Sequence, residues 1–167
     1  MEELKHAYIE KLQKSLDMEK TIVAAMPSLI EAATNDKLRE GLVDHLRETN
    51  EHVARLNKIL AGHKSASSTV KNEPFRLMVE SAGKEIDSIE DSDVRDALII
   101  ASAQAVEHHE MACYGTLVEW AKQLDEDGEC INMLKKTLGE EEAADKKLST
   151  VAEGTIFTTG VNEVAAK

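Results

Sequence analysis

Four long segments of this chain repeat apolar residues at alternating steps of three and four, and each repeat is interrupted near its middle by acidic or histidine residues. Such steps place side chains on one face of an α-helix, so the chain is predicted to form four long helices, each with one buried face. The interruptions lie at Glu19, at 45–52, at 107–110 and at 141–145. A fold that buries these faces must therefore also accommodate polar groups in its interior.

The predicted fold class is all-α, an antiparallel four-helix bundle. With two prolines and eight glycines in 167 residues, the chain has too few turn-forming residues for a β fold. One hairpin is expected from helices over about 3–33 and 36–61. The other is expected from a helix that runs from the cap sequence 91–93 to about 124 and a helix over about 129–153.

The two hairpins are joined by one crossover connection that contains a short extra helix. A polar connector is predicted over 64–72, followed by the short helix over about 73–89. Residues 1–153 are predicted to form a single bundle domain. Residues 154–167 have no helical periodicity, and a loosely ordered tail is expected there.

Particular residues mark the expected helix ends. Asn35 is the predicted N-cap of the second helix, where its side chain can accept an unpaired backbone N–H. Gly62 is predicted to end that helix, and Pro74 suits the first turn of the short helix. Pro27 lies inside the first helix and is expected to bend it, because proline removes one backbone hydrogen bond.

Charge and composition argue against two classes of partner. The chain has 20 lysines and arginines against 32 aspartates and glutamates, a net charge of −12, which repels nucleic acid and anionic membranes. No apolar run approaches the ~20 residues that span a bilayer. Cys113 and Cys130 form no CxxC motif and are interpreted as buried, reduced thiols. The N-terminus lacks the layout of a signal peptide, so a cytoplasmic location is expected.

The polar interruptions predict a site inside the bundle. Antiparallel packing brings the middles of all four helices together, so the acidic groups are expected to face one another. A buried ionised carboxylate costs several kcal/mol in desolvation, and its neighbours add repulsion. The helix faces contain no lysine or arginine at this level. Bound metal ions are therefore the favoured interpretation, and protons shared among the carboxyl groups are the alternative.

The spacing of the interruptions supports a metal site. Glu107 with Glu110, and Glu48 with His52, are pairs that lie about one turn apart on one helix face. Carboxylate and imidazole ligands suit iron or manganese, and two facing turns can hold two ions. The candidate ligands are Glu19, His45, Glu48, His52, Glu107, Glu110, Glu141 and Asp145. The sequence leaves open whether the second helix uses Glu48 with His52 or His45 with Glu48, and how the last helix divides the role between Glu141 and Asp145.

Five further polar side chains lie beside the interruptions. His108 is interpreted as a hydrogen-bond partner of the site rather than a ligand, and His109 as exposed to solvent. Tyr114 is expected to be a core residue, with donation to a carboxylate as the alternative. Glu140 and Glu142 are expected on an exposed face.

One run is also similar to a known signature. Residues 106–117, Val-Glu-His-His-Glu-Met-Ala-Cys-Tyr-Gly-Thr-Leu, resemble a helix signature of the bacterial YciE/YciF family of stress-associated, ferritin-like proteins. Residues 17–20, 45–49, 93–100 and 137–148 resemble its other signatures, and the resemblance covers about 3–152. It implies a ferritin-like four-helix bundle, a homodimer and a dinuclear metal centre.

The resemblance carries over to particular positions and departs at others. The matching positions are Glu19, His45, Glu48, Glu107, His108, Glu110, Glu141 and Asp145. His52 lies where family members often have glutamine, and 75–78 replaces the family's Met-Glu-Gly-Leu stretch. The Glu-x-x-His pairs of better-known ferritin-like di-iron enzymes are absent.

Three functions are compatible with these features. The first is a dinuclear iron protein, with manganese as an alternative metal, that reacts with oxygen or peroxide as an oxidase, a ferroxidase or a peroxide scavenger. The second is a non-catalytic dimeric helical stress protein that needs no metal. The third is a subunit of an iron-storage cage, which the polar connector and the loose tail disfavour. We rank them in that order.

Overall fold

The computed structural model describes residues 2–63, 70–156 and 158–167, and within these ranges it contains six α-helices and one pair of short strands. The elements in chain order are α1 (Glu2–Ala32), α2 (Asp36–Gly62), α3 (Glu73–Asp87), α4 (Ser92–Gln123), α5 (Gly128–Glu153), β1 (Gly154–Thr155), β2 (Thr158–Thr159) and α6 (Val161–Ala165). Most of the predicted polar connector, residues 64–69, lies outside the described residues.

The four long helices pack as two hairpins, α1 with α2 and α4 with α5. The hairpins join through α1 against α4 and α2 against α5, and α3 packs on α1 and α4. This arrangement confirms the predicted all-α bundle with a short extra helix in its crossover. No helix in the described ranges is long and apolar enough to cross a bilayer.

The helix ends follow the local signals in the sequence. Asn35 caps α2 by accepting the backbone N–H of Leu38 at 3.1 Å, as predicted. Asp91 accepts two backbone N–H groups in the first turn of α4. Pro74 lies in the first turn of α3, and α1 continues through Pro27 to its end.

A polar layer divides the apolar core of the bundle into two halves. On one side of the layer the core contains Tyr8, Leu12, Leu56, Leu117 and Leu134. On the other side it contains Ile22, Met26, Leu42, Ile99 and Leu148. The layer itself consists of the carboxylates and histidines that interrupt the apolar pattern of each helix.

The described C-terminal residues, 154–156 and 158–167, contain regular elements that the predicted loose tail did not include. They form the β1–β2 hairpin and α6, and Val161 is buried against the bundle. Gly154 has a φ of 78°, and a Cβ on Gly160 would lie 2.4 Å from the carbonyl oxygen of Ala152. Two glycines therefore permit a tight reversal that no periodic pattern signals.

A buried aspartate on α4 fixes the turn between α1 and α2. Asp96 accepts the backbone N–H groups of Thr34 at 2.9 Å and of Asn35 at 2.7 Å, and the hydroxyl of Thr34 at 2.7 Å. Its side chain is 2 % exposed. One carboxylate thereby connects the two hairpins.

Replacement of Asp96 by asparagine is expected to destabilise the protein by about 1–3 kcal/mol, because buried charge-assisted hydrogen bonds are lost. Urea unfolding measures this change. Asp87→Asn, at an exposed position on α3, is the matched control and should change stability by less than ~0.5 kcal/mol. Equal effects of the two substitutions would contradict the assigned role.

Candidate metal centre

Six side chains from the four long helices converge in the polar layer, and none is more than 7 % exposed. They are Glu19 of α1, His45 and His52 of α2, Glu107 and Glu110 of α4, and Glu141 of α5. All six were candidate ligands in the sequence. Each lies on the buried face of its helix, where the apolar repeat is interrupted.

The six side chains form two groups that share one member. In the first group, ligand atoms of His45, Glu107, Glu110 and Glu141 all lie within 4.8 Å of one another. In the second group, ligand atoms of Glu19, His52 and Glu141 lie within the same distance. Glu141 therefore lies between two adjoining sets of ligand atoms.

Eight nitrogen and oxygen atoms of these six side chains make no hydrogen bond. Within the described ranges, the unpartnered buried atoms of the layer are Glu19 Oε2, His45 Nδ1, His52 Nδ1, Glu107 Oε2 and both carboxylate oxygens of Glu110 and of Glu141. Buried polar atoms are normally paired, and an unpaired one costs about 1–3 kcal/mol. A concentration of such atoms at one place indicates that the site is built for a ligand.

Short contacts between histidines and carboxylates organise the layer. His45 Nε2 lies 3.3 Å from Glu107 Oε1. His52 Nδ1 lies 3.0 Å from Glu141 Oε1 and 3.5 Å from Glu19 Oε2. No lysine or arginine in the described ranges forms an ion pair with the four glutamates of the layer.

Tyr114 combines the two roles considered for it. The side chain is fully buried, and its hydroxyl donates to Glu19 Oε1. Burial and the charge of Glu19 raise the pKa of Tyr114 well above its usual value. The phenol is therefore a neutral donor that orients the Glu19 carboxylate.

Burial makes the carboxyl groups of the layer hard to ionise in the absence of cations. Burial and the charge of Glu141 raise the pKa of Glu107 to about 10. Burial also raises the pKa of Glu19, and burial with the charges of Glu141 and Glu19 raises the pKa of Glu110 well above its usual value. Without cations, Glu107 and Glu110 therefore retain protons at neutral pH.

The pKa values of the two histidines are shifted in opposite directions. Burial lowers the pKa of His45, which favours the neutral imidazole that binds metals. Burial also disfavours a charged His52, but Glu141 and Glu19 outweigh it and raise the pKa of His52 to about 10. In the metal-free protein His52 is therefore an imidazolium that partly neutralises its neighbours.

A polar chain extends from His52 towards the surface. His52 Nε2 lies 3.0 Å from Glu140 Oε2, and Arg55 Nη2 donates to Glu140 Oε1 at 3.1 Å. Burial raises the pKa of Glu140, but its hydrogen bond to Arg55 outweighs burial and the pKa is lowered. The expectation that Glu140 lies on an exposed face is wrong, because Arg55 reaches across from α2; Glu142 is exposed, as expected.

Two of the candidate ligands lie outside both groups. Glu48 has a 31 % exposed side chain, 3.7 Å from Arg47 Nη2. Asp145 is 19 % exposed and lies 3.3 Å from His108 Nε2, and it accepts from Gln104 at 3.2 Å. Both alternatives left open for the second helix included Glu48, whereas the structure brings His45 and His52 into the two groups.

His108 and His109, the two histidines that follow Glu107 on α4, lie outside both groups. His108, interpreted as a hydrogen-bond partner of the site, contacts Asp145 rather than a member of the two groups, and its side chain is 65 % exposed. His109 was expected in solvent, but its ring packs at 5.2 Å from the ring of Phe75 on α3. The short helix therefore covers that face of α4.

Comparison with known proteins identifies the family. Residues 3–162 match the family described as a domain of unknown function, DUF892. The chain belongs to the DUF892 family. Protein YciF of Escherichia coli (strain K12) is 35% identical over 153 residues, which is 91% of this chain and 92% of that protein.

Solved structures similar to this DUF892 chain share its fold. The crystal structure of the E. coli stress protein YciF has a TM-score of 0.81 and 35% identity, and the match covers 89% of this chain and 94% of that one. YcfI of Rhodopseudomonas palustris has a TM-score of 0.85 and 38% identity over the same shares. The resemblance to the YciE/YciF family is confirmed.

The donor set of this DUF892 chain fits a first-row metal such as iron or manganese. Each group combines carboxylate oxygens with one imidazole, and neither contains a thiolate, because Cys113 and Cys130 are absent from both. Oxygen-rich sites with imidazole favour these metals over those that prefer sulfur. His45, Glu107, Glu110 and Glu141 would hold one ion, and Glu19, His52 and Glu141 a second.

Proposed function

We propose that this chain is a stress-related protein of the YciF group that holds a dinuclear iron centre, or an iron–manganese centre, inside the bundle. The centre would react with a small oxidant such as oxygen or peroxide, in an oxidase, ferroxidase or peroxide-scavenging reaction. The stress-related role rests on similarity to the E. coli stress protein YciF.

One observation carries the metal proposal. Eight buried polar atoms, from the six side chains of the two groups, make no hydrogen bond; His52 Nδ1 and Glu141 Oε1 among them lie 3.0 Å apart as an ion pair. Their uncompensated desolvation would be costly in an apolar core, and divalent cations supply the missing partners. A bound first-row metal would supply redox chemistry and Lewis acidity at this place.

The surrounding residues have separate tasks in this proposal. Tyr114 orients Glu19 through its hydroxyl. Glu140, fixed by Arg55, holds the Nε2 side of His52 and so leaves Nδ1 directed towards Glu19 and Glu141. Such outer hydrogen bonds set the tautomer of a ligand histidine and commonly change metal affinity by about 10–100-fold when lost.

A second candidate function is favoured by the imidazolium at His52. Together with the Tyr114 hydrogen bond, its charge neutralises part of the layer without any metal. A non-catalytic helical stress protein, in which the remaining carboxyl groups keep protons, would use the layer only for packing.

Metal analysis distinguishes the two candidates. Protein made in iron- and manganese-supplemented medium should contain about two metal ions per chain, and a chelator should lower its melting temperature. The matched control is Glu142→Gln, at an exposed position beside Glu141, which should keep the full metal content. Metal far below one ion per chain, with no effect of chelator on melting, would refute the metal proposal.

The proposal includes a homodimer. Size-exclusion chromatography should give about 37 kDa, twice the 18.4 kDa chain. A particle of many subunits would instead favour the storage cage.

A further inference from the structure

A cavity of about 420 Å³ lies in one half of the bundle and reaches the candidate metal centre. All five helices from α1 to α5 contribute to its walls. The walls are mostly apolar or small, with Met26, Leu42, Ile86, Ala103 and Val151 among the residues that line it. The space therefore lies between the helices, with exposed residues such as Asp44 and Lys147 at its rim, and is not a shallow groove on one helix.

The polar wall of the cavity is formed by the centre itself. His45 and Glu107 line the cavity, and both are buried, at 7 % and 2 % exposed. His45 Nδ1 and Glu107 Oε2 have no hydrogen-bond partner. An occupant of the cavity would therefore lie directly beside ligand atoms of the first group.

Small residues keep the space open. Gly83 of α3 lines the cavity, and a Cβ added there would meet no atom within 4 Å. A Cβ added to Gly41 of α2 would meet only Lys147 Cε, at a distance of 4.0 Å. Ala103 lies one turn before Glu107 on α4 and lines the same cavity, where a larger side chain would occupy part of the space.

The charges at the rim do not favour an ionic occupant. Of the two lysines at the rim, Lys147 is paired with Asp44 at 2.7 Å and Lys37 is exposed, while Glu80 and Asp87 lie on the wall formed by α3. The inner wall already contains the unpaired acidic groups of the layer. An anion would be repelled there, and the mostly apolar walls would leave a charged group poorly solvated along most of the cavity.

We propose that this cavity is a substrate pocket for an uncharged, largely apolar molecule of about ten to eighteen non-hydrogen atoms, which lies with one end beside Glu107 and His45. The size follows from comparison with the ~150 Å³ apolar cavity that admits one benzene ring, and 420 Å³ lies in the range of small-molecule pockets. The pocket deepens the proposed function by naming the substrate class, and the role of the occupant as substrate rests on that function.

Binding of a matched pair of fluorescent probes tests the pocket. N-phenyl-1-naphthylamine is neutral, and 1-anilinonaphthalene-8-sulfonate is the same skeleton with an anionic group. The full chain, with and without chelator, should bind one neutral probe per chain with micromolar affinity, and the anionic probe at least tenfold more weakly. Because the chelated protein is included, this readout does not require a metal or turnover.

Two variants locate the probe. Ala103→Phe and Ala144→Phe fill the cavity from α4 and α5 and should each weaken neutral-probe binding at least tenfold. Ala105→Phe, at an exposed position on α4, is the matched control and should change it less than twofold. Circular dichroism identifies any variant that fails to fold, and the other cavity variant then carries the test.

Each outcome bears on one proposal. Absence of neutral-probe binding, or binding unchanged in both cavity variants, overturns the pocket. Binding that appears only on dilution of a dimer also overturns it, because a second copy would then fill the space. A chain that binds the probe but no metal supports the pocket and refutes the metal centre. A chain that binds metal but no probe supports the metal centre and refutes the pocket.

Discussion

Replacement of Glu110 by glutamine is expected to stabilise the metal-free protein by about 2–3 kcal/mol at neutral pH, and to remove about one of the two proposed metal ions. Glu110 is fully buried and neither of its carboxylate oxygens has a partner, so the substitution breaks no hydrogen bond. In the metal-free protein its carboxyl keeps a proton that the unfolded chain releases, and holding that proton at pH 7 costs ~1.4 kcal/mol per unit of pH above its ordinary pKa. A glutamine avoids this cost.

Thermal melting in chelator and metal analysis measure the two effects. A gain of this size corresponds to a rise of about 4–12 °C in Tm for a chain of this length. Glu142→Gln is the control and should change neither quantity. Glu141→Gln should remove both ions, because Glu141 belongs to both groups. If Glu110→Gln destabilises the metal-free protein, the carboxyl has a structural role that its unpartnered oxygens do not indicate.

The stability of the metal-free protein is expected to fall as pH rises from about 6 to 9. Burial, then the charge of Glu141, raises the pKa of Glu107 from 4.5 to about 10, so the folded state keeps a proton that the unfolded state loses throughout this range. Glu141 and Glu19 raise the pKa of His52 from 6.5 to about 10 against the effect of burial, and that stabilisation is complete below 6.5 and lost as pH rises through 10. Both pKa shifts therefore make the stability of the metal-free protein fall as pH rises.

One retained proton corresponds to ~1.4 kcal/mol per pH unit, or about 4 kcal/mol between pH 6 and pH 9. The lowered pKa of His45 acts in the opposite direction only below about 6.5, where the unfolded chain gains a proton more readily. Urea unfolding in chelator at several pH values measures the slope. The metal-loaded protein should show a smaller slope, because metal binding displaces protons. Stability that increases from pH 6 to pH 9 in chelator would contradict the assigned protonation.

The helix pattern allowed most of the fold to be predicted. Apolar repeats and cap residues such as Asn35 are local signals, and they gave the helix ends to within a few residues. The C-terminal hairpin was missed because it depends on backbone reversal at Gly154 and Gly160 rather than on periodicity. A short segment without repeat offers no pattern from which its packing could be read.

The ligand set on α2 could not be resolved from spacing alone, although helix geometry explains it afterwards. At about 100° per residue, His45 and His52 are nearly aligned, whereas Glu48 and Thr49 lie on opposite sides of them. Thr49 is fully buried and Glu48 is half-buried at the edge, so the centre of the buried face runs through the histidines. The direction of that face depends on neighbouring helices.

The contacts of Glu140 could not be predicted from either helix. Its position on α5 is off the buried face, but Arg55 on α2 reaches it and directs it towards His52. Long side chains connect helices over distances that sequence periodicity does not encode. The same applies to Asp96, whose partners Thr34 and Asn35 lie in a turn far along the chain.

The division of the apolar core by the polar layer has a consequence for cooperative unfolding. Each half has its own set of buried aliphatic side chains, and between them the four glutamates repel one another unless cations or protons intervene. What fills the layer therefore governs how tightly the two halves are coupled. Native-state amide exchange along α4, which passes through both, would register that coupling as equal protection at its two ends when the layer is neutralised, and as unequal protection when it is not.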